Sequence, residues 1–98
     1  MAEYQITRWR AIPSLVTARS DEGETVKVPL PDRFQEAIDE LAMRTGAVGS
    51  DAYLADWVQE EWTARGGEPA AVAADVAREL DEAFPPSELA RLVGDGDG

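Results

Sequence analysis

The chain contains no histidine and no cysteine. Without imidazole, no side chain ordinarily titrates near neutrality, and without thiols there is no disulfide, thiolate nucleophile, zinc cluster or haem attachment. Cations are scarce: Lys plus Arg total 9 against 20 Asp plus Glu, a formal charge of −11, and Lys27 is the only lysine. Such a balance argues against nucleic acid as a partner, because affinity for phosphates depends on cations that displace counterions. No apolar run reaches the roughly 18 residues of a spanning helix, so no membrane association is expected. The opening Met1-Ala2-Glu3-Tyr4-Gln5 lacks the positive-then-apolar pattern of a secretory leader, and a cytoplasmic protein is the expectation.

What is present is a chain of 98 residues, 44% of them apolar. That share supports a folded domain, and a chain of this size buries only about 65% of its unfolded surface, which leaves room for one core. Charge is unevenly spread. Residues 1–33 hold five basic and five acidic residues, so residues 34–98 carry the whole excess. The balanced part concentrates period-two patterns and turn residues, whereas the acidic part has helical spacing.

Three strands are expected, Glu3–Trp9, Ser14–Arg19 and Thr25–Leu30, joined by two hairpin-like connections. Pro29 and Pro31 cannot donate ladder hydrogen bonds and place the end of the third strand at an edge. A first helix opens at Pro31-Asp32, with Phe34, Ala37, Ile38, Leu41 and Ala42 on one face and Gly46 as its stop. Ser50 fits the cap of a second helix whose buried stripe would be Leu54, Trp57, Val58 and Trp62, ended by Gly66-Gly67. A third starts at Pro69, carries Val72, Val76, Leu80 and Phe84, and stops before Pro85-Pro86. A short fourth covers Ser87 to Val93. The fold class is therefore α+β, a three-stranded antiparallel β-meander followed by three to four helices packed on one face. One domain spans 1–93, with the sheet in 3–30 and the helices in 31–93; the acidic tail 94–98 is expected to be mobile.

No catalytic constellation emerges. Ser14, Ser20, Ser50 and Ser87 have no imidazole partner and no Gly-x-Ser-x-Gly elbow. No glycine-rich phosphate loop occurs. Asp56, Glu60 and Glu61 could suggest a carboxylate pair or a metal, but on a helix they read as a solvated acidic face. The terminal Asp-Gly-Asp-Gly resembles the start of a calcium loop and ends before a closing glutamate. No catalytic residue, metal or cofactor is expected, and the chain is read as a non-enzyme.

Two binding readings remain. Arg8, Trp9, Arg10 and Pro13, with Arg19 and Lys27 on neighbouring strands, could form a cationic and aromatic surface for a protein partner. The plainer reading is that these arginines pair with the chain's own acids, Arg8 being the most exposed to partial burial against a carboxylate because it shares the Tyr4/Ile6 side. On the contact-surface reading, replacing Trp9 and Arg10 together by Ala is expected to leave stability nearly intact while abolishing co-purification of a partner. The alternative is a ribbon-helix-helix-like DNA-binding dimer, since strand, helix, glycine turn and helix follow in order. It would present Thr25, Lys27 and Pro29 to a groove, and one lysine makes a weak reading head. A homodimer stays open.

The stretches Tyr4-Gln5-Ile6-Thr7-Arg8-Trp9-Arg10-Ala11-Ile12-Pro13-Ser14 and Val26-Lys27-Val28-Pro29-Leu30-Pro31-Asp32-Arg33-Phe34, followed by Ser50-Asp51-Ala52-Tyr53-Leu54 and Trp57, resemble the small bacterial "virulence factor" family. The same domain occurs within the larger conserved virulence factor C proteins. The resemblance covers about residues 3–60 and leaves 61–98 as an extension or docking element. It implies an interaction or accessory module, with folate- and corrinoid-linked methyl-transfer proteins as an associated class. It supplies no site residues, and the chain offers no histidine to a corrinoid.

Overall fold

The structure is a computed structural model and describes residues 2–46 and 50–96, with the side chains of 50, 52, 95 and 96 excluded. Strands β1 (Ala2–Trp9), β2 (Ile12–Arg19) and β3 (Thr25–Pro29) form the antiparallel meander. Helices α1 (Asp32–Thr45) and α2 (Ser50–Ala55) follow, then two short strands, β4 (Trp57–Gln59) and β5 (Thr63–Arg65). Helices α3 (Pro69–Ala83) and α4 (Pro86–Gly96) complete the chain. The sheet runs β3-β2-β1-β4, and β5 pairs with β1 beyond β4, so the fold is α+β.

The meander follows from alternation. Ala2, Tyr4, Ile6, Val16, Ala18, Val26 and Val28 occupy one row of side chains across the paired strands, and all belong to the core or pack against it. Helix α3 crosses β1, β2 and β3 and contributes Val72, Ala73 and Val76 to that core, its alanines permitting close approach. Helix α1 buries Phe34, Ala37, Ile38, Leu41 and Ala42, the face its spacing predicts, and packs against α4 through Leu89 and Val93. Gly46 ends α1 at φ 78°, a left-handed conformation that glycine adopts without a Cβ penalty. Arg33 ties the start of α1 to the end of α3: one terminal guanidinium nitrogen donates to the Asp81 carboxylate at 2.5 Å and to the carbonyls of Asp81 and Phe84.

The second helix differs from its expectation. It stops at Ala55, and Trp57, Val58 and Trp62 are not its buried stripe. Residues 57–65 lie instead along the second edge of β1. Thr7, Arg8 and Trp9 face Gln59, Val58 and Trp57, while Ala2, Glu3 and Tyr4 face Arg65, Ala64 and Thr63. Between these blocks, three residues, 60–62, oppose Gln5 and Ile6, and the backbone N–H of Glu60 donates to the Ile6 carbonyl at 3.0 Å. The insertion is a bulge that breaks one edge strand into two. Pairing to an open strand edge outweighed a chance i, i+3, i+4 spacing, and tryptophan, valine and threonine suit a strand well. The proposed Ser50 cap lies outside the described side chains. Helix α4 extends past Val93 to Gly96, and residues 97 and 98 lie outside the described residues.

Candidate functional site

The two ends of the sheet receive different parts of the expected contact surface. Arg8, Trp9, Arg10 and Pro13 gather at the β1–β2 hairpin, where Arg8 faces Pro13 and Trp9 faces Ile12. Arg19 lies opposite Glu3, five residues back along β1 and therefore about 16 Å away. Lys27 sits on β3 opposite Thr17. These six residues do not form one patch.

Nor are they all on the surface. Trp9 is 0% exposed and Pro13 is buried, so neither can be a contact residue without unfolding the hairpin. The Trp9 indole stacks on Tyr53 of α2 with ring centroids 5.6 Å apart, and Tyr53 in turn meets Trp57 edge-on at 5.9 Å. This aromatic cluster anchors the short α2 to the end of the sheet. A tryptophan in the exposed-looking string Arg8-Trp9-Arg10 proves to be core because flanking charge said nothing about the side on which its own ring lay.

The arginines are engaged. Arg8 Nε reaches Glu60 Oε2 at 3.0 Å and Arg10 Nε reaches Asp56 Oδ2 at 2.9 Å, the partial burial against a carboxylate expected of Arg8. Arg19 pairs with Glu3 at 3.2 Å and lays its guanidinium 3.8 Å from the centroid of Trp62. Trp62, expected in the core, is thus a half-buried platform for Arg19. Arg33 pairs with Asp81, Arg44 with Glu40, Arg65 with Glu79, Arg78 with Asp75 and Arg91 with Glu88. Every arginine therefore has a carboxylate of the same chain, and Lys27, exposed on β3, is the one side-chain cation with no ion pair among the described residues. Asp56 and Glu60 are arginine partners on the β4 side rather than a helical acidic face.

The Glu79 carboxyl lies below its ordinary value because Arg65 hydrogen-bonds to it, with bonds of 2.7 and 3.1 Å, and Glu88 is held low by its bond to Arg91. The same contact raises Arg65. No group of three or more His, Cys, Asp or Glu that could hold a metal ion occurs among the described residues. No helix among them is long and apolar enough to cross a membrane.

The other row of the sheet is the remaining candidate. Glu3, Gln5, Thr7, Leu15, Thr17, Arg19, Thr25, Lys27 and Pro29 alternate with the core-facing residues, and none of them belongs to the hydrophobic core, although Thr17 in the middle of the row is buried. Thr25, Lys27 and Pro29 are exposed, as the sequence pattern required of an outward strand row. Two shallow depressions lie elsewhere. One, of about 180 Å³, sits between α1 and α4 over Leu89 and Val93 with Arg33, Glu36 and Glu40 at its rim. The other, of about 350 Å³, joins the β2–β3 turn to the start of α3 and includes Asp21, Glu22, Glu24 and Glu68.

A family model described as "Virulence factor" matches residues 7–93. The match includes α3 and α4, so residues 61–93 are part of the family domain and not an extension outside it. No curated protein matches the chain, and no solved structure does.

Proposed function

The chain belongs to the virulence factor family, and on that premise we propose that it is a non-enzymatic protein-recognition module whose contact surface is the outward row of the sheet. The observation that carries this reading is the saturation of its arginines. With all of them held by carboxylates of the same chain, no guanidinium cluster is left to clamp phosphates or polarise a substrate, and the surface keeps its negative excess. What the sheet offers instead is a mixed row of Gln5, Thr7, Leu15 and Lys27 around the buried Thr17, polar at its edges with one aliphatic side chain, as in the modest interfaces of recognition domains.

The family resemblance adds folate- and corrinoid-linked methyl-transfer proteins as the first partner class to try. The test is capture of a defined partner by the tagged chain, compared with the double variant Thr7→Arg/Lys27→Glu and with Ala74→Arg on the exposed side of α3. The reading expects capture lost in the first and kept in the second, with no retention on a random DNA duplex at about 50 mM salt. Equal capture by all three chains removes the outward row from consideration, and salt-sensitive retention on the duplex favours the DNA-binding alternative.

A further inference from the structure

The β3 strand is the end of the sheet, and its outer side is a usable edge. In an antiparallel pair, residues alternate between those that bond to the neighbour and those that direct N–H and C=O away from it. The Leu30 N–H donates to the Ser14 carbonyl at 3.0 Å and the Ser20 N–H to the Glu24 carbonyl at 2.8 Å. With the register Val16↔Val28 and Ala18↔Val26 between them, Val26 and Val28 bond inward. Thr25, Lys27 and Pro29 therefore turn their backbone groups outward, giving two N–H donors and three carbonyl acceptors, since proline has no N–H. No backbone partner to these outward groups exists among the described residues. The opposite edge is unlike this one: its bulge at 60–62 breaks the ladder that a further strand would need.

Charge selects the occupant. The turn entering β3 exposes Asp21, Glu22 and Glu24, and Asp32 is exposed just after its exit, so both ends of the edge are acidic around a single central lysine. A second copy of this chain is disfavoured: pairing about the two-fold at Lys27 sets lysine against lysine and brings together two chains of charge −11. We propose that this edge binds an extended segment of another protein, basic at its ends, which adds to the sheet as a further strand beside β3. The proposal names the partner chemistry of the recognition surface above and rests on that reading. Half-buried Val26 and Val28 would be covered by the added strand, and Thr25 and Lys27 would gain backbone partners.

The probe is a short synthetic peptide of alternating threonine and valine flanked by lysines. Its controls are the same peptide flanked by glutamates and the lysine peptide with proline at its centre. Amide exchange followed by NMR on the full chain reads the outcome directly. Without peptide, the Val26 and Val28 amides are protected while those of Thr25 and Lys27 exchange freely. Saturating lysine peptide should slow Thr25 and Lys27 at least about tenfold, and both controls should do much less. Lys27→Pro removes one outward donor and leaves every bond to β2 in place, so it should weaken the lysine peptide about tenfold. Because that variant perturbs the strand's φ, the exchange pattern of the unaltered chain stands as the independent readout.

The idea is overturned if Thr25 and Lys27 exchange is unchanged by saturating peptide, if the glutamate peptide protects them equally, or if light scattering shows a dimer that already protects them. Should partner capture still depend on Thr7 and Lys27 while edge protection fails, recognition by the sheet's face survives and the added strand alone is refuted.

Discussion

Trp9 Nε1 donates a 2.7 Å hydrogen bond to the backbone carbonyl of Tyr53, forty-four residues away, while the two rings stack. That single relationship closes the hairpin end of the sheet with a six-residue helix too short to be stable alone. Trp9→Ala removes a fully buried indole and should cost about 3–5 kcal/mol, a large share of the stability of a small domain. Trp9→Phe keeps most of the packing and strands the Tyr53 carbonyl, at about 1–3 kcal/mol. Urea unfolding followed by circular dichroism measures both. A Trp9→Ala/Arg10→Ala chain as stable as the original, the outcome expected of a surface tryptophan, would contradict this placement.

Arg10 has φ 54°, the one positive φ at a non-glycine residue among those described. Its N–H donates to the Asp56 carbonyl at 3.2 Å, its Nε reaches the Asp56 carboxylate, and its guanidinium lies 4.7 Å from the Trp9 ring centroid. The side chain thus holds the turn in a conformation its own Cβ opposes. Arg10→Ala and Arg10→Gly both lose the ion pair, worth at most about 1 kcal/mol at this exposure. Only glycine also removes the Cβ penalty, so Arg10→Gly should be more stable than Arg10→Ala by about 1 kcal/mol. The usual order, in which alanine is the gentler replacement, would show that the turn relaxes to negative φ.

Where one periodicity ran long enough to be unambiguous, it was readable. The apolar face of α1 and the ridge of α3 each recur over three turns, and the three meander strands alternate around turn residues, so register and burial followed from pattern. Residues 50–65 were not readable in this way. A six-residue helix, Asp56 and two three-residue strands are each shorter than the window that separates helix from strand, and pairing with β1 is a long-range contact that no local spacing encodes. The site suffered similarly. The pairing of Arg8 with an acid matched the plainer reading that these arginines meet the chain's own carboxylates, but Trp9 and Pro13 were misplaced because they lie beyond the register shift between Thr7 and Arg8, which interrupts the alternation on which the reading depended. The saturation of the arginines depends on which acid each one meets in space, and only the fold supplies that.

The absence of histidine makes the pH response a sharp test of this electrostatic picture. Glu79 and Glu88 have folded-state values below their unfolded ones, because Arg65 and Arg91 hydrogen-bond to them. A depressed carboxyl contributes stability that is present above its unfolded value, about 4.3, and disappears as pH falls through the lower folded value. Glu79 is exposed and Glu88 is only partly buried, so solvent screening keeps this contribution small. Repulsion among the excess carboxylates acts in the opposite sense and relaxes as the first of them protonate. Melting temperature should therefore be flat between about pH 6 and 8, rise slightly toward about pH 5, and fall below about pH 4. Arg65→Gln should raise the Glu79 carboxyl toward its ordinary value, read by carboxyl carbon NMR, while leaving Glu88 where it was. A stability step between pH 6 and 8 would overturn this prediction.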